Sequence, residues 1–172
     1  MEGLSRQEII FYLQSLSKKL FSQGIKGELF LVGETPMALA YNKRRITLDL
    51  DGVFEPKLII YEAAKQVALE ENLPIDWLND AVKGFLPGQD TKAKVLLDFE
   101  GLSVKVASPR YLFAMKALAS RQSRDIEDIK ILYALSNFGS IEEAIEYISN
   151  IYGNRPIEAK VKFILQEILS TL

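Results

Sequence analysis

The sequence predicts an α+β protein with a small mixed β-sheet over about residues 1–107 and a cluster of helices over about residues 108–172. In the first part, short apolar stretches that end at turn residues alternate with helical patterns. In the second part, apolar residues recur at helical spacing. The 172 residues, of which 48% are hydrophobic, suffice for one large core. No repeat or linker divides them, so we expect a single domain over residues 1–172.

The first predicted element is an amphipathic helix over residues 4–22, where apolar residues recur at helical spacing. A short apolar strand follows over residues 28–32 and ends at a glycine. Thr35 and Pro36 are typical of a helix N-cap and of a first helical residue, where a proline loses no hydrogen bond. They predict a short helix over residues 37–42.

Residues 45–54 are predicted to form a strand that carries Asp49 and Asp51. Residues two apart in a strand face the same side, so the two carboxylates project together. The neighbouring apolar residues are expected on the opposite side: Ile46, Leu48 and Leu50. Adjacent carboxylates repel each other unless a cation or a basic group lies between them, so the pair is a candidate divalent-metal site. The alternative is a solvated strand face near a sheet edge.

Pro56 is predicted to begin a helix that ends near Pro74. Its inner face consists of apolar residues at helical spacing: Ile60, Ala63, Ala64 and Val67. A shorter helix over residues 75–83 is expected to carry Trp77. The Pro-Gly pair within residues 85–89 then predicts a loop.

Residues 92–99 and 102–107 are predicted to form an antiparallel pair, with a turn at Glu100 and Gly101. Four helices follow, each with a start signal in the sequence: Ser108-Pro109, Ser123, Ser140 and Pro156. Ser140 and Glu143 have the spacing of a capping box. These helices make up the predicted C-terminal cluster.

Cysteine and histidine are both absent from the chain. Their absence excludes disulfides, thiolate catalysis, zinc–thiolate sites, Ser-His-Asp and Cys-His catalysis, and histidine-dependent ribonuclease chemistry. An enzyme of this composition would rely on acidic, basic and hydroxyl side chains and on a hard metal ion such as Mg²⁺.

The formal net charge of -2 gives no bulk electrostatic reason to expect nucleic-acid binding. A local basic cluster at Lys43, Arg44 and Arg45 is either a solvated corner or a contact for RNA or phosphate. The chain contains no apolar run of about 18 residues and no basic-plus-apolar leader. We therefore expect a cytoplasmic protein without a membrane partner.

Four segments resemble the minimal nucleotidyltransferases, which have the polymerase-beta-type nucleotidyltransferase fold. The likeness is greatest to the branch found as toxins in toxin–antitoxin and abortive-infection operons. The segments are LVGETPMALAY, ITLDLDGVF, LPIDWLNDAVKGFLP and VASPRYLFAMKALASRQSRDIEDI. The resemblance covers about residues 5–150 and implies the same sheet-containing core. An Asp-x-Asp pattern alone is weak evidence, whereas its combination with the later segments is more specific.

The resemblance implies that the turn at Gly33, with Glu34 and Thr35, holds the triphosphate of a nucleotide. Glycine lets the backbone approach a phosphate closely, and helix N-terminal amides favour anions. Asp49 and Asp51 would hold Mg²⁺ or Mn²⁺ on the phosphates. By itself, Gly33 could also be no more than a turn that ends a strand.

The second half of the chain supplies the other matching residues: Lys116, Arg124, Asp125 and Asp128. The resemblance implies that Lys116 and Arg124 contact nucleotide phosphates, and that the two acids orient the lysine or position the attacking group. Alternatively, Lys116 extends its ammonium to solvent from a helix. The two acids could then simply favour a helix N-terminus, with Arg124 solvated.

Two positions depart from the family pattern. Glu34 stands where the family has a second glycine or a serine, which adds negative charge where a triphosphate would bind. Leu48 stands where the family often has arginine, between Thr47 and Asp49.

The leading expectation is an Mg²⁺-dependent nucleotidyltransferase that transfers a nucleotidyl group from a nucleoside triphosphate to an RNA or protein hydroxyl. The resemblance implies tRNA ends as acceptors and a cognate antitoxin as a partner protein. The alternative is a nucleotidyltransferase-like binding module that Glu34 has made catalytically impaired. An Asp-x-Asp glycosyltransferase is a third reading, although 172 residues leave little room for its usual fold.

Overall fold

The computed structural model describes residues 3–42, 45–119 and 123–172, without the side chains of Ser123 and Arg124. Its described part is a mixed α/β protein with seven α-helices and a five-stranded mixed sheet. This confirms the mixed helix and sheet content that the sequence predicts.

The chain forms two compact units. The first consists of Met1–Phe85 and Ala93–Ala107, and contains the sheet. The second consists of Leu86–Lys92 and Ser108–Leu172, and is helical.

The first unit alternates helices and strands, as the apolar patterns predict. Its elements, in chain order, are α1 (Arg6–Ser22), β1 (Gly27–Val32), α2 (Glu34–Pro36) with a π-helical turn (Met37–Tyr41), β2 (Leu50–Glu55), α3 (Lys57–Glu71), β3 (Leu78–Asn79), a 3₁₀-helix (Ala81–Phe85), β4 (Lys94–Asp98) and β5 (Leu102–Val106). Ser5 and Glu8 form a capping box that begins α1.

The sheet has the order β3-β2-β1-β5-β4. Strand β1 is antiparallel to β2 and parallel to β5, while β3 is parallel to β2. The buried residues of the strands join those of α1 and α3 in one core. The alternate strand positions carry exposed charged residues such as Glu28 and Lys105, so they lie on the opposite face. Asp51 is on this opposite face because its neighbour Leu50 is buried in the core.

The acidic strand is shorter than predicted, because β2 begins at Leu50. Thr47 instead pairs with Leu4, and the two backbone hydrogen bonds between them are 2.6 and 3.1 Å long. Ile46 and Leu48 are exposed, so the prediction that they share the core side of the strand with Leu50 is wrong.

The predicted helix over residues 75–83 is also wrong. Trp77 is fully buried, and its indole Nε1 donates a 2.9 Å hydrogen bond to the carbonyl of Ala64. Its own carbonyl accepts a 2.7 Å hydrogen bond from the Leu50 backbone nitrogen. These contacts hold the chain extended beside β2, so that residues 78 and 79 form β3.

The second unit contains α4 (Pro109–Ala119), α5 (Ser123–Ser136), α6 (Ile141–Ile151) and α7 (Ala159–Leu169). The Asp90 carboxylate accepts hydrogen bonds from the Ser108 backbone nitrogen and hydroxyl, 2.6 and 2.8 Å long, and so attaches the 86–92 segment to the start of α4. Ser140 caps α6 as predicted, but the Glu143 carboxylate accepts from the backbone of Gly139 instead of Ser140.

Candidate functional site

The turn between β1 and α2 brings the backbone close to Asp51. Gly33 has φ +69°, a left-handed conformation that glycine adopts without strain. A Cβ atom on Gly33 would lie 3.2 Å from the Asp51 Oδ2 atom. A side chain at this position would therefore crowd the Asp51 carboxylate, whereas glycine allows the backbone of the turn to lie close to it.

Glu34 is the first residue of α2 and Gly33 is its N-cap, so the prediction of Thr35 as N-cap is wrong. The Glu34 side chain is 42% exposed, and its carboxylate lies 3.9 Å from the guanidinium of Arg45. Thr35 is buried, and its hydroxyl donates a 3.3 Å hydrogen bond to the backbone oxygen of Asp49. In this structure, Thr35 thus holds the chain that carries the first acid.

Asp49 directly precedes β2, and two threonines fix its backbone. The hydroxyl of Thr47 donates a 2.8 Å hydrogen bond to the same Asp49 oxygen that Thr35 contacts. The bond from Thr47 is local, whereas the bond from Thr35 comes from α2. A local and a tertiary contact together therefore position Asp49, although it lies outside the strand.

Asp51 lies inside the sheet, opposite Val32 of β1 and Asn79 of β3. The Asn79 Nδ2 atom donates a 3.2 Å hydrogen bond to Asp49 Oδ2, and Asn79 lies opposite Asp51 in the pairing of β2 with β3. The two acidic side chains thus converge on one amide group. The structure brings the predicted pair together on one side of the chain.

Burial is the main cause that raises the pKa of both acids above the usual value for aspartate. The negative charges of Asp49 and Glu34 raise the pKa of Asp51 further, and Asp76 does the same for Asp49. Hydrogen bonds from Asn79 act in the opposite direction on both groups. The site is therefore an acidic surface at which a cation would be stabilised.

We expect Asp51→Asn to raise the melting temperature in metal-free buffer at pH 7. A carboxyl whose pKa is raised by folding favours the unfolded state once pH exceeds its unfolded value, about 3.9 for aspartate. The increase in melting temperature should be about 2 °C, which in a chain of this size corresponds to less than about 1 kcal/mol in the free energy of unfolding. It should disappear toward pH 3. Thermal melts across this pH range measure it.

Asp98→Asn is the control, since Asp98 is an exposed acid of β4 that pairs with Lys26. It should not raise the melting temperature at pH 7. A lower melting temperature for Asp51→Asn at pH 7 would contradict the assigned electrostatics.

The second unit holds a buried ion cluster between α4 and α5. The Lys116 side chain is 9% exposed, and its Nζ atom lies 2.9 Å from Asp128 Oδ2 and 3.4 Å from Asp125 Oδ1. Asp128 is fully buried, and Asp125 lies in the first turn of α5. The alternative of a lysine that extends to solvent is therefore wrong, and the two acids contact the lysine directly.

Three of the predicted contact residues lie outside the described part of the structure: Lys43, Arg44 and the side chain of Arg124. Of the basic cluster before β2, only Arg45 is described, and it lies near Glu34. The predicted phosphate contacts of Lys116 and Arg124 stay predictions.

Sequence reasoning missed Asn79, which donates a hydrogen bond to Asp49 and lies opposite Asp51 in the sheet. The sequence offers a weak signal for it: Trp77 and Leu78 are adjacent apolar residues followed by a polar pair. This pattern suits a buried strand that ends at a site as well as it suits a helix, so only the pairing with β2 distinguishes the two.

Within the described residues, no helix is both long and apolar enough to cross a membrane. No family model, curated protein sequence or solved structure matches this chain.

Proposed function

We propose that this protein is an Mg²⁺-dependent nucleotidyltransferase built on a nucleotidyltransferase-type sheet. The observation that supports this most directly is the convergence of Asp49 and Asp51 beside the Gly33 turn that begins α2. A paired carboxylate next to a glycine turn and a helix start combines candidate metal ligands with backbone amides that favour phosphate.

The donor set fits a hard divalent cation. Asp49 and Asp51 offer carboxylate oxygens, which Mg²⁺ and Mn²⁺ prefer, and the chain has neither histidine nor cysteine to favour zinc. Bound there, Mg²⁺ would stabilise negative charge on the α-phosphate of the transferred nucleotidyl group and on the leaving pyrophosphate. The Gly33 turn would bind the triphosphate, and Thr35 and Thr47 would keep Asp49 in position.

In the proposed reaction, an acceptor hydroxyl oxygen forms a bond to the α-phosphorus of the nucleoside triphosphate. The bond from that phosphorus to the bridging oxygen breaks, pyrophosphate leaves, and the hydroxyl proton passes to solvent. Within the second unit, Asp125 and Asp128 contact the Lys116 ammonium and fix its position. The contact of Lys116 with phosphate is implied by the family resemblance alone. The acceptor class is an RNA end, such as that of tRNA, or a protein hydroxyl, and a cognate antitoxin would be the partner.

The transfer reaction is tested by incubating the purified protein with each α-³²P-labelled nucleoside triphosphate, Mg²⁺ and total tRNA. We expect label in the RNA with at least one nucleotide, and none with the Asp49→Asn/Asp51→Asn variant. Label in the protein fraction instead would assign a protein acceptor. Equal labelling by the double variant would remove the two acids from the reaction.

We expect Mg²⁺ or Mn²⁺ to raise the melting temperature, because a ligand that binds only the folded state stabilises it. The increase should be about 3–6 °C at a concentration near ten times the dissociation constant, equivalent to roughly 1.4 kcal/mol. The Asp49→Asn/Asp51→Asn variant should show no increase. An unchanged metal response in this variant would place the cation elsewhere.

One observation favours a second function, that of a nucleotidyltransferase-like binding module that has lost competent phosphate binding and does not catalyse transfer. Glu34 lies at the start of α2, and its charge acts on Asp51. A carboxylate at this position opposes a triphosphate. Absence of nucleotide binding in both the unmodified protein and a Glu34 variant would favour the module.

A further inference from the structure

Asn79 occupies the position in the sheet next to the acid pair. The parallel pairing of β2 and β3 places it opposite Asp51. Its Nδ2 atom also donates to Asp49 Oδ2, 3.2 Å away, and its amide lowers the pKa of both acids. Asn79 therefore supplies positive partial charge where the two carboxylates approach each other.

The orientation of this amide is fixed from its other end. The Asn79 Oδ1 atom accepts a 3.1 Å hydrogen bond from the backbone nitrogen of Ala81, at the start of the 3₁₀-helix. If the amide turned over, its nitrogen would face the Ala81 N–H and its oxygen would face two carboxylates. Both contacts would be repulsive, so the amino group must point to the acids.

A second contact holds the strand that carries Asn79. The carboxylate of Asp80 accepts a 2.5 Å hydrogen bond from the hydroxyl of Tyr61 and lies 2.5 Å from the ammonium of Lys57. Both partners belong to α3, which packs in the core of the same unit. Asn79 therefore cannot withdraw from the acids without moving a strand that is tied to a helix.

We propose that Asn79 is a positioning residue that holds Asp49 and Asp51 together without a cation, and that couples cation binding to polyphosphate binding. This inference rests on the proposed function. A cation needs oxygen ligands, whereas the Asn79 amide offers N–H donors and already uses a lone pair of Asp49. A cation alone must displace this hydrogen bond and gains only two protein carboxylates. A polyphosphate brings further oxygens, so the cation and the polyphosphate bind better together than separately.

The test compares calorimetric titrations with Mn²⁺ alone and with preformed Mn²⁺–tripolyphosphate. The unmodified protein should bind the complex at least tenfold more tightly than Mn²⁺ alone. Asn79→Asp replaces the donor by a third carboxylate, so it should bind Mn²⁺ alone at least tenfold more tightly than the unmodified protein. The ratio of the affinity for the complex to the affinity for Mn²⁺ alone should therefore be smaller in this variant than in the unmodified protein. Without metal, Asn79→Asp should lower the melting temperature, because three carboxylates then repel one another.

Asn72→Asp is the matched control, since it adds the same charge at the C-cap of α3. It should leave both affinities unchanged. If Asn79→Asp does not fold, Asn79→Ala takes its place. Removal of the donor should then reduce the ratio of the two affinities, for Mn²⁺–tripolyphosphate and for Mn²⁺ alone, at least threefold. A folded Asn79 variant with unchanged affinities for both ligands would overturn the inference.

The Asp49→Asn/Asp51→Asn variant separates this inference from the proposed function. If it loses both ligands while the Asn79 variants behave like the unmodified protein, the acid pair stands as the site and the role of Asn79 is wrong. If it binds both ligands as well as the unmodified protein does, or if no protein binds either, both the proposed site and the inference fail.

Discussion

Glu34→Ser is expected to tighten the binding of Mg²⁺–nucleoside triphosphate at least tenfold. A carboxylate about 4 Å from a phosphate oxygen costs roughly 4 kcal/mol at an effective dielectric constant near 20, or close to a thousandfold in affinity. Glu34 begins α2, directly after the Gly33 turn, and its charge already acts on Asp51. The unmodified protein should therefore bind nucleotide weakly.

The structure also gives a reason why the gain should fall short of a thousandfold. The Arg45 guanidinium lies 3.9 Å from the Glu34 carboxylate and offsets part of its charge. The Glu34 side chain is moreover 42% exposed, so solvent screens its charge. The measurement is a calorimetric titration of both proteins with each nucleoside triphosphate in Mg²⁺.

Two further variants isolate the charge of Glu34 from its shape and from the net charge of the protein. Glu34→Gln keeps the shape and should also tighten binding. Glu28→Ser removes a negative charge from an exposed position near the start of β1, at the end of the strand that is far from the Gly33 turn. It should have little effect on nucleotide affinity. Tight binding by the unmodified protein would show that Glu34 is no obstacle, for instance because it turns toward the metal ion.

Lys116→Met is expected to lower the free energy of unfolding by about 3–5 kcal/mol, because it leaves a buried carboxylate without its nearest ammonium. Asp128 is fully buried, and the Lys116 Nζ atom lies 2.9 Å from it. Methionine retains most of the apolar stem of lysine, so the loss reports on the charge more than on packing. Chemical denaturation in urea measures it.

The other members of the cluster provide the comparison. Asp125→Asn should cost less than 1 kcal/mol, since this acid is 24% exposed and 3.4 Å from the ammonium. The double variant Lys116→Met/Asp128→Leu should be more stable than Lys116→Met, because it removes both buried charges. A loss below about 1 kcal/mol for Lys116→Met would show that the pair contributes no more than a surface ion pair does.

Local patterns in the sequence were enough to predict much of the framework. The helical spacing in α1 and α3, the apolar run of β1 and the turn between β4 and β5 all correspond to described elements. Each of these patterns depends on the periodicity of a helix or a strand, which neighbouring residues set without reference to the rest of the chain. The spacing of Asp49 and Asp51 likewise sufficed to predict that they project together.

Tertiary contacts decided what local patterns left ambiguous. Strand β3 has only two residues. It forms because Trp77 is buried against α3 and because the Leu50 backbone nitrogen donates a hydrogen bond to the Trp77 carbonyl. Pairing of Thr47 with Leu4 similarly moved the start of β2 to Leu50 and left Ile46 and Leu48 exposed. In both segments the hydrogen-bond partner comes from a distant part of the chain, which a local pattern does not contain.

The sequence by itself determined the helix and sheet content, the acid pair and the chemistry that a chain without histidine or cysteine can support. Only the tertiary structure placed Asn79 beside the two acids, Arg45 near Glu34, and Lys116 against buried Asp128. The reason is that periodicity assigns a side chain to a face of its own element. Which group meets it there depends on how strands pair and helices pack across long separations in the chain.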